Sequence, residues 1–256
     1  MTNSIMKTIS NYEINEFDKK GFILKKKFFR KSLVKKILKE INCLKSKELN
    51  IKTDKYYSDQ NSKNKSLLIR IENFYKKTYY LTNLINNKSI NKILFKLFRD
   101  KPTLFKEKIN FKPPGSGPDK LHQDSQAGWN KYTDNFINVL LSVEKSTINN
   151  GCLHIDISGN NSSKLLSKKM KPLLKKDLKS PNFKQLLLDE GDLVFFNSYT
   201  PHYSLSNNSS KSRVQVYLTF NKEKDGRFRA KYIKDKKKSY PPNNERSPNK
   251  KYSYKV

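Results

Sequence analysis

The hydrophobic periodicity of the chain changes at Pro102, and this change constrains the fold more than any other feature. Before it, apolar residues recur at spacings of three and four over residues 13–50 and 71–99, which predicts two amphipathic helical regions. The polar run 53–65 between them predicts a loop. After Pro102, short segments rich in β-branched and aromatic residues alternate with turn signals. Many short strands without long helices between them predict an antiparallel sandwich or jelly-roll barrel.

The length of 256 residues is within the range of one large domain. We therefore expect a single domain over residues 1–256, with a mainly helical N-terminal part (1–100) and a jelly-roll core (101–222). Residues 223–256 read as a basic C-terminal extension with little core. The predicted fold class is mainly β with flanking helices, that is, α+β.

The net charge is +31, from 54 Lys and Arg against 23 Asp and Glu. Such a charge is typical of nucleic-acid binding, but only seven of these cations are Arg and the lysines are spread along the whole chain. A solvated lysine coat is therefore favoured, and no nucleic-acid partner is expected. No apolar run approaches the roughly 20 residues that span a bilayer, so no membrane partner is expected either.

Two further features bear on location. The N-terminus lacks the apolar segment of a signal peptide. Cys43 and Cys152 are too few for a disulfide framework. A cytoplasmic location is expected, and the sequence leaves open whether the chain forms a homo-oligomer.

Histidine is rare in this chain, so three residues hold all of its imidazole chemistry. His122 and Asp124 are two positions apart, and on a strand both side chains project from one face. His202 follows another strand-like segment. Two histidines and one carboxylate form the facial triad of non-haem Fe(II) oxygenases. His122, Asp124 and His202 are therefore the predicted iron ligands, whereas His154, on an apolar strand, is assigned a structural role.

Arg213 follows His202 by eleven residues, across a turn marked by Asn and Ser. A residue at the end of one strand and a residue at the start of its hairpin partner lie close together. A guanidinium group binds a carboxylate in a bidentate manner, as the distal carboxylate of 2-oxoglutarate requires. Ser204, on the same strand face as His202, would add a hydroxyl donor.

These residues belong to a series of motifs that resembles the phytanoyl-CoA dioxygenase family. The motifs are His122-Gln123-Asp124, Asn150-Gly151-Cys152-Leu153, Gly191-Asp192 and His202-x-Ser204-x-x-Asn207-x-Ser209-x-x-x-Arg213. The resemblance implies a double-stranded β-helix, a cupin-like jelly roll, and a hydroxylase that uses Fe(II), 2-oxoglutarate and O2, with ascorbate as an activator in vitro. It also implies iron binding by the triad, 2-oxoglutarate binding by Arg213 and Ser204, and a position for Lys112 near the cosubstrate.

The segment 105–112 alternates strictly, so that Lys106, Lys108, Asn110 and Lys112 share one strand face. This face is either solvated or lines the barrel interior, where lysines would hold a small anionic substrate. Trp129, the only tryptophan, is assigned either to core packing or to a pocket wall that covers a substrate amine.

A narrower resemblance, to the organophosphonate dioxygenase branch of the family, rests on FKEKINFK (105–112), the run 122–129 and the C-terminal residues 231–246. It implies hydroxylation of 2-aminoethylphosphonate or its N-methylated relatives at the carbon that bears phosphorus. The predicted substrate-binding residues are Lys106, Lys108, Asn110, Gln126 and Trp129. Two alternatives stay open: the same chemistry on a betaine, an amino acid or an ectoine-like metabolite, and a non-enzymatic basic binding protein.

Overall fold

The computed structural model describes residues 7–46, 51–58, 67–168 and 171–254. The strands, in chain order, are β1 (Phe22–Lys25), β2 (Asp54–Ser58), β3 (Leu67–Glu72), β4 (Pro102–Lys112), β5 (Asp119–His122), β6 (Phe136–Ser142), β7 (Leu153–Asp156), β8 (Phe183–Leu186), β9 (Leu193–Asn197), β10 (His202–Ser204) and β11 (Arg213–Lys222). The α-helices are α1 (Asn11–Lys20), α2 (Lys31–Ser46), α3 (Tyr80–Ile85), α4 (Lys88–Phe98) and α5 (Arg229–Ser239).

The strands form two antiparallel sheets that pack on each other. The larger sheet has the order β1-β9-β6-β11-β4-β3-β2, and the smaller has the order β5-β10-β7-β8. A buried apolar cluster joins them, with Leu140 and Val194 from the larger sheet against Ile155 and Leu186 from the smaller. The expected mainly β jelly roll with flanking helices is confirmed.

The two faces of the larger sheet differ in polarity. Ile109 on β4, together with Val216 and Leu218 on β11, packs into the same apolar cluster as the buried stripes of α2 and α4. The alternate residues of β4 point the other way and are also buried: Lys106, Lys108 and Lys112 are 3%, 9% and 5% exposed. The solvated-face interpretation of these lysines is therefore wrong, and they lie inside the barrel.

Strand pairing divides both predicted helical regions. A capping box between Ser10 and Glu13 begins α1, and Gly21, at φ 77°, ends it. A Cβ at Gly21 would lie 2.4 Å from Thr200 Oγ1, so glycine is required there. The chain then forms β1, which pairs with β9, before α2 begins. Residues 71 and 72 likewise end β3 instead of starting a helix.

Two other expectations also change. Part of the predicted loop at 53–65 forms β2, which pairs with β3; residues 59–65 lie outside the described residues. The C-terminal segment contributes more core than expected, since α5 buries Tyr232 and Lys236 against the barrel. Both differences arise from partners distant in sequence, which local periodicity does not reveal. Among the described helices, none has the length and apolar character needed to cross a bilayer.

Candidate active site

The predicted iron ligands come together at the junction of β5 and β10. His122 ends β5 and His202 begins β10, and the two residues are directly opposite in the antiparallel register. Asp124 follows His122 in a short 3-10 turn. Ligand atoms from the three side chains lie within 4.8 Å of one another. His122 Nε2 is 3.9 Å from Asp124 Oδ1, and His202 Nε2 is 3.8 Å from Asp124 Oδ2.

Backbone carbonyls orient both imidazoles. His122 Nδ1 lies 2.6 Å from the carbonyl oxygen of Lys120, and His202 Nδ1 lies 2.9 Å from that of Thr200. A carbonyl only accepts, so each Nδ1 carries the proton and each Nε2 lone pair faces Asp124. Burial lowers the pKa of His202 to about 4, which keeps this ring neutral at pH 7.

The carboxylate of Asp124 is held by a polar chain across the larger sheet. Asn138 Nδ2 donates to Asp124 Oδ2 at 3.0 Å, and Thr219 Oγ1 donates to Asn138 Oδ1 at 2.7 Å. Burial alone would raise the pKa of Asp124, but Lys108 and the two histidines hold it below its usual range. Two imidazole Nε2 atoms and an ionised carboxylate, fixed close together, suit Fe(II).

Arg213 lies where a carboxylate could reach it. It begins β11 and pairs with Lys112 on β4. Its Nη1 donates to the carbonyl of Gly151, a residue that has to be glycine because a Cβ there would lie 2.3 Å from the Leu205 carbonyl oxygen. Its buried Nε has no partner among the described residues. Arg213, Lys112 and Asn110 line a cavity of about 150 Å³, so an unpaired guanidinium donor is available for a 2-oxoglutarate carboxylate.

Lys112 and Ser204 lie beside this cavity and share a partner that the sequence did not indicate. Lys112 Nζ is 2.9 Å from Ser204 Oγ and 3.0 Å from Asp119 Oδ2. Ser204 Oγ donates to the same Asp119 oxygen at 2.5 Å. Asp119 begins β5, three residues before His122, and its carboxylate is the local counter-charge of Lys112. Sequence reasoning could have identified Asp119 because its carboxylate lies on the strand that ends at the first triad residue.

A larger cavity, of about 410 Å³, opens beside the triad. Of the predicted substrate residues, one lines this cavity and the others lie elsewhere. Lys108 lines it together with His122 and Asp124. Lys106 instead has its ammonium 4.2 Å from the centre of the Trp129 ring and borders a separate, smaller cavity. Burial lowers the pKa of Lys106 to about 7 and that of Lys108 to about 8.

The other predicted substrate residues are not in the lining of this larger cavity. Asn110 faces the cavity beside Arg213. Gln126 accepts from the backbone N–H of Gln123 at 2.8 Å and donates to the carbonyl of Lys171 at 3.1 Å. Trp129 is 1% exposed and packs edge-on against Phe105. The structure thus gives Gln126 hydrogen bonds to backbone groups and gives Trp129 packing contacts.

Among the residues of the larger cavity that sequence reasoning missed, two contact each other from distant parts of the chain. Arg70 comes from β3 and Tyr254 from the C-terminal segment, and Arg70 Nη1 donates to the Tyr254 hydroxyl at 2.7 Å. The alternation of LLIRIE (67–72) marks Arg70 as lying on one strand face, but the strand itself was not predicted over most of its length.

A carboxylate between two oriented histidines on a jelly roll, with a guanidinium in the adjoining cavity, defines a non-haem Fe(II)- and 2-oxoglutarate-dependent dioxygenase. The family model of phytanoyl-CoA dioxygenase matches residues 17–214, and the chain belongs to this family.

Two relatives and one solved structure show what the chain is similar to. The chain is 34% identical over 199 residues to a 2-aminoethylphosphonate dioxygenase from the uncultured bacterium HF130_AEPn_1, covering 78% of this chain and 76% of the relative. It is 33% identical over 137 residues to a methylphosphonate hydroxylase of Gimesia maris, covering 54% of this chain and 52% of that protein. The crystal structure of EctD from S. alaskensis with 2-oxoglutarate and 5-hydroxyectoine superposes with a TM-score of 0.72 at 17% identity, over 88% of this chain and 79% of that one. At this identity, that likeness shows the fold alone.

Proposed function

We propose that the protein hydroxylates a small organophosphonate, such as 2-aminoethylphosphonate, at the carbon next to phosphorus. The observation that carries the proposal is a cationic cavity next to the triad, in a chain 34% identical to a 2-aminoethylphosphonate dioxygenase. Its lining has four cations, Arg70, Lys108, Lys120 and Lys171, against two carboxylates, Asp119 and Asp124. A compact dianion matches that excess of positive charge.

The reaction converts the substrate C–H, 2-oxoglutarate and O2 into the 1-hydroxyphosphonate, succinate and CO2. Fe(II), when bound, supplies the activation of O2 that side chains cannot provide. His122, Asp124 and His202 would hold the metal from one side and leave the other side for cosubstrate and oxygen. Asn138 keeps the Asp124 carboxylate turned toward the histidines.

The remaining residues bind and orient the reactants. Arg213 would pair with the distal carboxylate of 2-oxoglutarate, with Lys112 and Ser204 beside it. Lys108 would attract the phosphonate into the cavity that the triad borders. Apolar walls such as Leu121 and Ala127 limit water near the reacting carbon.

Substrate-dependent turnover tests this proposal. The purified protein is supplied with Fe(II), ascorbate, 2-oxoglutarate and 2-aminoethylphosphonate, and succinate is measured beside the hydroxylated product. Equal amounts of the two are expected, and the Asp124→Ala variant should form neither. Methylphosphonate, glycine betaine, ectoine and free amino acids form the comparison panel. The substrate assignment would be wrong if succinate release did not depend on the phosphonate, or if it depended on another member of the panel.

The proposal includes a cytoplasmic location. Cys43 and Cys152 carry thiols in this structure, as is usual in a reducing compartment. Iron and 2-oxoglutarate would be taken from the same compartment.

A further inference from the structure

Two cations on adjacent strands line the cavity that two residues of the triad also line. Arg70 on β3 pairs with Asn110 on β4, and Lys108 is two residues from Asn110 on the same face of the sheet. Arg70 and Lys108 both line the larger cavity together with His122 and Asp124. One ligand beside the triad can therefore meet both.

Arg70 is held in place but retains a free donor. Its Nη1 donates to Tyr254 Oη at 2.7 Å and lies 3.6 Å from Glu72 Oε1. The guanidinium also lies 5.0 Å from the centre of the Tyr254 ring. These contacts fix the orientation of the guanidinium. Its Nε is buried and has no partner among the described residues. A fixed guanidinium with an unused N–H is suited to an oxyanion.

Lys108 is a buried cation that feels the charge of Asp124 but has no carboxylate in direct contact. It is 9% exposed, and its ammonium lies 4.7 Å from the centre of the Tyr217 ring. Within the described ranges, no carboxylate is within 4.0 Å of its Nζ. Burying a charge without a partner is costly, so this position favours a bound anion.

The two carboxylates of the cavity are already engaged. Asp124 belongs to the triad, and Asp119 is 3.0 Å from Lys112 Nζ. Among the described residues, neither lies within 4.0 Å of the Arg70 or Lys108 nitrogens, so a bound anion would supply the close negative charge that Lys108 lacks.

We infer that Arg70 and Lys108 form the subsite for the phosphonate group, with the Tyr254 hydroxyl as a third donor. This inference rests on the proposed function and names the residues that would select its substrate. A phosphonate has three oxygens in a tetrahedral arrangement, and a guanidinium, an ammonium and a hydroxyl offer one donor group for each. A planar carboxylate of the same chain length uses fewer of these donors and binds more weakly.

Tyr254 connects the C-terminal segment to substrate binding. Its hydroxyl accepts from Arg70, and the Lys236 ammonium lies 5.1 Å from the centre of its ring. Lys236 is itself paired with Glu72. The segment thus brings a hydroxyl donor to a subsite whose cations come from β3 and β4.

Steady-state kinetics of four variants test the subsite. Arg70→Met removes the charge at similar length, Arg70→Lys keeps the charge but not the fork, and Tyr254→Phe removes only the hydroxyl. Arg227→Met is the matched control, because the Arg227 side chain is 78% exposed and pairs only with Glu223 among the described residues. KM is measured separately for 2-aminoethylphosphonate and for 2-oxoglutarate.

In Arg70→Met, KM for the phosphonate should rise about 30-fold, the effect of charge-assisted hydrogen bonds worth about 2 kcal/mol, while kcat changes less than about threefold. Arg70→Lys should recover part of this loss. Tyr254→Phe should raise KM about fivefold, as expected for one neutral hydrogen bond. Arg227→Met should match the wild type, and KM for 2-oxoglutarate should stay within about twofold in all four.

Arg70 also borders the cavity of about 150 Å³ that Arg213 lines. The KM for the phosphonate and the KM for 2-oxoglutarate show in which of the two cavities Arg70 binds a ligand. A raised KM for 2-oxoglutarate with an unchanged KM for the phosphonate would overturn the subsite and leave the proposed function standing. If the wild type turns over no phosphonate, anaerobic calorimetry with 2-aminoethylphosphonate decides the subsite. Binding that Arg70→Met abolishes supports it, whereas no binding to the wild type overturns it. If Arg70→Met fails to fold, Tyr254→Phe and Arg70→Lys carry the same test.

Discussion

Replacement of Lys106 by methionine should make the protein more stable, and most strongly at acidic pH. Lys106 is 3% exposed and, among the described residues, no carboxylate lies within 4.0 Å of its Nζ; the Trp129 ring covers it at 4.2 Å. Burial lowers the pKa of this lysine from 10.5 to about 7. Methionine has a similar length and no charge, so it keeps the packing against Trp129 and removes the cost of desolvating an ammonium.

The magnitude follows from that difference in pKa. A fall from 10.5 to about 7 corresponds to roughly 5 kcal/mol of unfavourable free energy. The cation–π contact with Trp129, worth about 2 kcal/mol when desolvated, offsets part of it. The expected net gain for Lys106→Met is therefore about 3 kcal/mol in the free energy of unfolding.

The sign of the pH dependence is set by the lower pKa in the folded state. Below pH 7 both states hold the proton and the penalty is complete. Between pH 7 and 10.5 the folded state holds fewer protons, so the penalty fades as the pH rises. The advantage of Lys106→Met should thus be largest near pH 6 and absent above about pH 10.5.

Urea unfolding at pH 6, 8 and 10, followed by circular dichroism, measures this advantage. Lys145→Met is the matched control, because the Lys145 side chain is 71% exposed and the variant loses the same charge from the surface. The control should show no comparable gain. An advantage that is absent at pH 6, or equal at pH 6 and 10, would refute the burial argument. A tenfold rise in KM for the phosphonate would instead show that Lys106 binds substrate, as the sequence predicted.

Three further predictions concern the triad and the cosubstrate. Asp124→Ala should lose both iron, measured by metal analysis, and hydroxylation, whereas His154→Gln should keep both, because His154 stacks on Tyr203 away from the triad; equal iron loss in both variants would contradict the ligand assignment. Asn138→Leu leaves Asp124 Oδ2 without its donor and should weaken iron binding about 10- to 100-fold in metal titrations. Arg213→Ala should raise KM for 2-oxoglutarate at least about 30-fold, measured by succinate formation, and an unchanged KM would show that this guanidinium does not bind the cosubstrate.

The iron site was accessible to sequence reasoning because its geometry is mostly local. The spacing of two between His122 and Asp124 identified both ligands, although β5 ends at His122 and the 3-10 turn that follows it, instead of a strand, carries Asp124 to the site. The alternation of 105–112 likewise identified the polar face of β4, but it left open whether that face is solvated or buried. The polar run around β2 gave no such signal, since its strand conformation depends on pairing with β3.

The substrate side of the cavity was less accessible, because its residues come from distant parts of the chain. Lys106 and Lys108 have the same strand face and the same charge, and the sequence treated them alike. Only the packed barrel separates them: Lys106 lies against Trp129, and Lys108 opens toward the triad. Arg70 and Tyr254 are 184 residues apart and meet through one hydrogen bond.

The amino-acid pattern alone predicts the fold class, the residues of the triad and a face of β4 that carries several lysines, whereas the packed barrel decides that this face is buried. These properties follow from strand periodicity and from the few residue types that bind Fe(II). Both signals are local in the sequence. The tertiary structure decides which of the buried cations have counter-ions and which face the cavity. That choice depends on the desolvation and pairing of charges brought together from β3, β4 and the C-terminal segment, and no local pattern encodes it.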